Sequence, residues 1–259
     1  MDLGIAGRSA IVCASSKGLG RGCATALAEA GCRVIVNGRD ADRLSRTARE
    51  IAAATGAEVV PVAADVSTAE GQAALLAACP EPDILVNNNA GPPRRDFREL
   101  DREMMLQGVV ANMVTPIELI QAVIDGMAAR KFGRIVNITS SSVRAPIPGL
   151  DLSSGARAGL TAFLGGVARG LAKDNVTINQ ILPGMFDTDR LRGGFPYEAQ
   201  LTGSTAEAIA EARKGSIPAR RFGDPAEFGA LCAFLCSAHA GYITGQNFLI
   251  DGGQFPGAF

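Results

Sequence analysis

The stretch Ile11 to Gly20, IVCASSKGLG, decides how this chain is read. An apolar run with β-branched Ile11 and Val12 gives way to small and flexible residues, Ala14-Ser15-Ser16-Lys17-Gly18-Leu19-Gly20, and then to a helix-forming run from Ala24 to Ala30. That order predicts strand, turn and helix. A glycine-rich turn at a helix start lets the backbone approach a phosphate because no Cβ intervenes. The unpaired N–H groups of the first helical turn also point at the anion. A nucleotide pyrophosphate is the expected ligand. Such a turn also occurs as an ordinary loop, so its context has to decide.

The context is an alternation of strand-like and helix-like segments. RVIVN (33–37), a helical run from Asp40, AEVVPVAA and a helical run from Ser67 come first. DILVNN, one long helix from about Met104 to Arg130, GRIVNIT, a helix through Gly155 to Lys173, and VTINQIL follow. Strands rich in Val and Ile without polar alternation are buried on both faces, as in a parallel sheet covered by helices. The expected fold is a doubly wound α/β sheet in one domain spanning 1–259. In such a sheet ligands bind beyond the carboxyl ends of the strands. The residues there are Ala14 to Gly20, Asn37-Gly38-Arg39, Asp65-Val66, Asn87 to Gly91, Thr139-Ser140-Ser141 and Leu182-Pro183-Gly184, polar or small apart from Leu19, Val66 and Leu182. Any one of these is an ordinary turn; the series points to a dinucleotide.

A hydrophobic content of 47%, a charged content of 20% and a net charge of −1 fit a large-cored globule and give no electrostatic reason for nucleic acid or an anionic membrane as partner. No cationic leader and no bilayer-length apolar run is read, so the expectation is a cytoplasmic protein acting on small molecules. The 6 cysteines, Cys13, Cys23, Cys32, Cys79, Cys232 and Cys236, lie in strand-like or helix-like segments and read as buried thiols. Cys232 and Cys236 have metal-ligand spacing without a partner pair, and His239, the single histidine, reads as a solvated helix end. No metal site is expected.

With these residues laid out, the chain resembles the short-chain dehydrogenase/reductase family along nearly its whole length, most of all its bacterial β-ketoacyl-ACP-reductase-type members. The family's TGxxxGxG turn is matched by Cys13 to Gly20, with the Thr and the first Gly replaced. Asp65-Val66 follows the third strand. The Asn-Asn-Ala-Gly motif appears as NNNAG: either Asn87-Asn88 keep the register and Asn89-Ala90 are substitutions, or one residue is inserted. Asn112 matches the helix Asn of the active-site tetrad, Ser140 its Ser, and Pro183-Gly184 to Thr188 the PGxxxT motif. Ile243 to Gly253 follow the family's last strand. The resemblance implies a single Rossmann-type domain with a mostly parallel seven-stranded sheet, helices on both faces and a substrate lid at 184–217.

It further implies a nicotinamide cofactor held by Ala14, Ser16, Lys17, Gly18, Leu19, Gly20, Arg39, Asp65, Val66, Asn88, Ala90, Arg157, Pro183, Gly184 and Thr188. Where NAD-preferring enzymes carry an acid after the second strand, Arg39 stands here, and Lys17 sits in the turn. Both favour NADP(H) over NAD(H). Arg39 can equally begin a solvated helix. The implied oligomer is a tetramer or dimer paired through the helices at about 104–130 and 155–173.

The implied reaction moves a hydride between nicotinamide and a carbonyl or alcohol carbon while a Tyr handles the proton beside a Lys. At those positions stand Ser153 and Arg157. An aliphatic hydroxyl ionises far less readily than a phenol, and a guanidinium stays protonated, although its fork can hold ribose hydroxyls or a carboxylate. Ser140, Asn112, Ser153 and Arg157 are therefore the expected catalytic set, with a non-standard proton donor. Asp151, Tyr197 and Tyr242 are candidate donors, each also readable as cap or packing. Arg94, Arg95 and Arg144 follow strands and suit an acidic or acyl-thioester substrate, or are solvated loop residues. The competing functions are an NADP(H)-binding protein without redox turnover and a non-redox enzyme using the same pocket.

Overall fold

The structure, a computed structural model, describes residues 1–257. Strands β1 (Ser9–Val12), β2 (Arg33–Gly38), β3 (Val59–Ala63), β4 (Ile84–Asn87), β5 (Gly133–Ile138), β6 (Val176–Pro183) and β7 (Asn247–Ile250) form one 7-stranded sheet in the order β3-β2-β1-β4-β5-β6-β7. Every neighbouring pair is parallel. The direction of winding reverses between β1 and β4, so a crevice opens over their carboxyl ends, where Ala14 and Asn88 emerge. The last two residues of the expected 1–259 domain lie outside the described residues.

The apolar runs become strands because both faces of the sheet are covered. Helices α1 (Gly18–Glu29), α2 (Ala41–Thr55) and α10 (Pro225–Cys236) share one core with Val12, Val34, Val36 and Val86. Helices α3 (Ala69–Ala78), α5 (Thr115–Ala129) and α6 (Asp151–Leu171) share the other with Ile11, Ile35, Leu85, Ile135 and Ile178. Neighbouring residues of one strand thus feed opposite cores, and no polar alternation is needed. All 6 cysteines are buried and unpaired.

Three expectations about the helices are corrected. The single helix at 104–130 is α4 (Arg102–Val109), a wide π-helical turn (Val110–Val114) and α5, and the wide turn carries Asn112. Such turns are helix insertions that 3.6-residue periodicity does not reveal, since the apolar spacing is nearly unchanged across them. Against the expectation of no bilayer-length apolar run, the 28-residue run Arg102–Ala129 contains an 18-residue window of mean hydropathy 1.3, enough to span a bilayer by length and composition. Here its Leu119, Ile120, Val123 and Met127 are buried in the domain core. Helix α6 begins at Asp151, before the expected Gly155, so Ser153 lies inside it.

Beyond β6, α7 (Asp189–Arg192), α8 (Phe195–Thr202) and α9 (Ala206–Gly215) build a small separate core from Phe195, Ala199 and Ile209 with Leu191 and Phe222. Met105, Leu106 and Val110 of the α4 region and Phe163 of α6 are exposed large apolar residues.

Candidate active site

The turn after β1 is a strained, latched loop. Ala14 has φ +45° and Gly18 φ +57°, and the first of these is a left-handed conformation held by a residue with a Cβ. A Cβ on Gly20 would lie 2.4 Å from the Ala14 carbonyl oxygen, so only glycine lets the helix start beneath the loop. Asn37, buried at the end of β2, fastens the strained residue. Its Oδ1 accepts the Ala14 N–H (3.1 Å), and its Nδ2 donates to the carbonyls of Val62 (3.1 Å) and Ala64 (3.0 Å). The Asn37 N–H donates to Ser15 Oγ (2.9 Å), whose own hydroxyl donates to the Val12 carbonyl (2.7 Å). From the β4 side, Asn88 Nδ2 donates to the Ala14 carbonyl (3.2 Å).

The helix that follows is open at its amino end. Side chains of Asp40 and Thr68 cap α2 and α3, whereas Lys17 leads into α1 with no side-chain cap. The first intrahelical bond there runs from the Arg21 N–H to the Lys17 carbonyl (3.3 Å). Unpaired N–H groups, the positive end of a 12-residue helix, and a surface without Cβ obstruction fit a pyrophosphate. Leu19 packs on the core beneath, Ser16 accepts the Thr47 hydroxyl through its carbonyl (2.9 Å), and Lys17 is exposed, 3.4 Å from Asp189. Cys13, at the strand end, is an inert thiol whose pKa burial pushes up to about 12.

Around the rest of the crevice, Arg39 is exposed with its Nη1 3.8 Å from Asp65 Oδ2. The Asp65 carboxyl sits below its ordinary pKa chiefly through hydrogen bonds from the Ser67 side chain and backbone. Val66 is buried, Ala90 is exposed, and Gly184 packs against Asp251. The Thr188 methyl carbon lies 3.4 Å from where a Gly18 Cβ would be, so the loop after β6 closes over the phosphate turn. Asn87 ends β4 and bonds Asn137 Oδ1 across the sheet (2.9 Å), while Asn88 turns to Ala14. Asn87-Asn88 thus hold the strand register.

Over the carboxyl end of β5, Ser153 and Arg157 face the same side of α6, one turn apart, and both are buried. Arg157 Nε donates to Ser153 Oγ (3.2 Å), and its Nη1 donates to the carbonyls of Ile138 and Thr139 (2.7 Å each). Burial, with Arg190 nearby adding repulsion, lowers the Arg157 pKa to about 10, which leaves it cationic at neutral pH. Ser140 Oγ accepts the Ser142 N–H (3.1 Å), leaving its own hydrogen free to donate. Asn112 is buried and donates to the Gly108 carbonyl (3.3 Å). Asn112 and Arg157 line one small cavity of about 20 Å³ with Asn87, Asn88, Thr115 and Asn137. Asn87 Oδ1, Thr115 Oγ1 and Asn137 Nδ2 lack protein partners, so the cavity has the size and polar lining of a one-water site.

The other candidates stand apart. Asp151 is exposed in the first turn of α6 and accepts the Gly149 N–H (3.2 Å). Tyr197 is 68% exposed on α8 and Tyr242 is wholly exposed, so neither phenol is buried beside Ser153. Arg94, Arg95 and Arg144 are exposed, and Arg95 pairs with Glu99 at 3.9 Å. His239 Nε2 meets the Asp2 carbonyl (2.8 Å). Sequence reading missed Asn37 and Ser15 as the latch and Arg190 as a neighbour of Arg157. The Asn that ends a buried Val/Ile strand was the one available signal.

Fold and site together define a Rossmann-type domain with an anion-accepting turn. The family described as enoyl-(acyl carrier protein) reductase matches residues 13–254. The 3-oxoacyl-[acyl-carrier-protein] reductase FabG of Aquifex aeolicus is 32% identical over 265 residues, covering 98% of this chain and 100% of that one. The NADPH-dependent reductase BacG of Bacillus subtilis is 31% identical over 253 residues, 95% and 97% of the two chains. Among solved structures, L-sorbose reductase from Gluconobacter frateurii, complexed with NADPH and L-sorbose, superposes with a TM-score of 0.93 at 28% identity, covering 99% of this chain and 100% of that one. The chain belongs to the short-chain dehydrogenase/reductase family, on its 3-oxoacyl-ACP-reductase-like side.

The latch makes two tests. Ala14→Gly relieves the left-handed strain and is expected to stabilise by about 1 kcal/mol, a melting temperature higher by about 2–4 °C in a thermal scan. Asn37→Asp keeps the acceptor for Ala14 but turns an anion on the Val62 and Ala64 carbonyls. An expected loss of about 3 kcal/mol in denaturant unfolding accompanies weaker dinucleotide binding.

Proposed function

We propose that the chain is an NADP(H)-dependent oxidoreductase acting on a carbonyl or alcohol carbon, with a proton route that does not use a phenol. The observation that carries this reading is the buried, cationic Arg157 at the carboxyl end of β5, hydrogen-bonded to Ser153. A cation held rigidly in a low-dielectric crevice stabilises an oxygen that gains negative charge, and it needs no reorganisation to do so. Ser140 has a hydroxyl hydrogen free for a carbonyl oxygen, and Ser153, which accepts from Arg157, has one as well. Together they orient the carbonyl, and water supplies the proton.

The residues fit the cofactor. Ala14, Ser16, Lys17, Gly18, Leu19 and Gly20 would hold the pyrophosphate, Arg39 a 2′-phosphate, Asp65, Val66, Asn88 and Ala90 the sugar and adenine edges, and Pro183, Gly184 and Thr188 the nicotinamide end, with Arg157 turned to the reacting oxygen. When bound, the nicotinamide supplies or receives the hydride. That BacG is NADPH-dependent and the sorbose reductase structure contains NADPH supports the same choice. Residues 184–217, with their own small core, serve as the substrate lid.

Purified protein with NADPH and a panel of ketones, imines and quinones is expected to oxidise NADPH. Arg157→Met is expected to lower kcat/KM about 10²- to 10³-fold, with Arg157→Lys recovering part of it. Silence across the panel overturns the reading.

A second reading, an NADP(H)-binding protein without turnover, is favoured by one observation: both tyrosines are exposed. It is distinguished by tight NADPH binding with no oxidation, and by activity appearing in the double variant Ser153→Tyr, Arg157→Lys. The exposed Met105, Leu106, Val110 and Phe163 support the reading of a dimer or tetramer. Leu106→Glu combined with Phe163→Glu is expected to shift the particle to a smaller mass in light scattering.

A further inference from the structure

Arg157 does not stand alone. Its Nε and Nη1 are occupied by Ser153, Ile138 and Thr139, and its Nη2 edge makes no hydrogen bond within the described residues. Arg190, in the first turn of α7, reaches back to the loop after β4, where its Nη2 meets the carbonyls of Gly91 (3.3 Å) and Pro92 (3.5 Å) at long range. The two guanidiniums converge on Gly91. A Cβ built there would lie 3.0 Å from Arg190 Nη2, 3.3 Å from its Nη1 and 3.5 Å from Arg157 Nη2.

Neither cation has a counter-charge among the described residues. The acids flanking Arg190 are engaged elsewhere, Asp187 by Arg192 and Asp189 by Lys17 at 3.4 Å. Loss of hydration lowers the pKa of both arginines, of buried Arg157 most and of Arg190 only where its head turns in from the exposed surface, and Arg190 adds to the shift at Arg157. Two like charges brought together with unused donors, one of them fully buried, leave the crevice short of an anion. The unused edges both lie beside Gly91, and a small planar group seated next to that glycine would offer an oxygen to each guanidinium. Through Arg157 the place is tied to Ser153 and to the carbonyls at the end of β5. The open helix start that suits the pyrophosphate is a separate place, after β1.

We propose that Arg157 and Arg190 form a clamp for the free carboxylate of a short oxo acid substrate, and that Arg190 is its specificity-determining residue. The proposal rests on the oxidoreductase reading for calling the bound acid a substrate. It excludes the ester or thioester of the same acid as the preferred ligand, because esterification removes the charge and one of the oxygens.

The test is binding, so it needs no turnover. Protein saturated with NADP⁺, and protein without it, is titrated calorimetrically with pyruvate and acetoacetate and with their methyl esters. The acids are expected to bind at least tenfold more tightly than the esters. Arg190→Gln is expected to lose roughly 10- to 100-fold in affinity for the acid, with Arg190→Lys intermediate. The NADPH dissociation constant should move less than twofold. Arg190 is exposed, and a melting curve like that of the unsubstituted protein verifies that the variant is folded. Equal binding of acid and ester overturns the clamp. So does a loss of NADPH affinity in Arg190→Gln as large as the loss of acid affinity, which assigns the two arginines to the cofactor's phosphates. Acid binding without NADPH oxidation leaves the clamp standing and sinks the redox reading alone.

Discussion

The site depends on one buried amide. Asn37 ends a strand of Val and Ile, yet its side chain satisfies the Ala14 N–H on one side and the Val62 and Ala64 carbonyls on the other. A left-handed alanine costs about 1–2 kcal/mol and persists only where neighbours over-determine it. The latch between β2 and the turn does that, with Asn88 holding the Ala14 carbonyl from β4. The carbonyl so placed is the one that leaves no room for a Cβ on Gly20. Strand order, turn strain and glycine requirement are therefore one constraint.

At the opposite end of the crevice the governing term is electrostatic. A buried guanidinium loses its hydration, and Arg157 recovers part of that through Ser153 and the terminal carbonyls of β5. A phenol with a neighbouring ammonium is a proton-transfer device, whereas a serine bonded to a guanidinium is a fixed charge with a fixed dipole beside it. The polar cavity lined by Asn112, Thr115 and Arg157 shows that the floor of the crevice stays hydrophilic all the same.

The wide helical turn at 110–114 links these ends. It sets Asn112 on the cavity wall while α4 and α5 stay continuous along the domain, with Gly108 so close to Leu152 of α6 that a Cβ would meet it at 2.5 Å. Close packing of α4 on α6 is thus coupled to the position of the helix that carries Ser153 and Arg157.

From the amino-acid sequence alone the sheet was legible, because short Val/Ile runs without alternation, interleaved with helical runs, read as strands of a covered parallel sheet. So was the open turn after β1, because small residues between such a run and a helix leave the helix start uncovered. The family resemblance added the expectation that Ser153 and Arg157 stand where relatives keep a phenol and an ammonium, a reading that rests on counting from Ser140. Tertiary structure alone decided that Asn37 is a latch, that Asp151 is a turn acceptor, and that the arginine meeting Arg157 is Arg190, with Arg94, Arg95 and Arg144 left in solvent. Those outcomes turn on which side chains from distant segments come within about 3 Å of each other. Periodicity and spacing describe one element at a time, while charge and hydrogen bonding at a crevice are set between elements that meet only when the chain is folded.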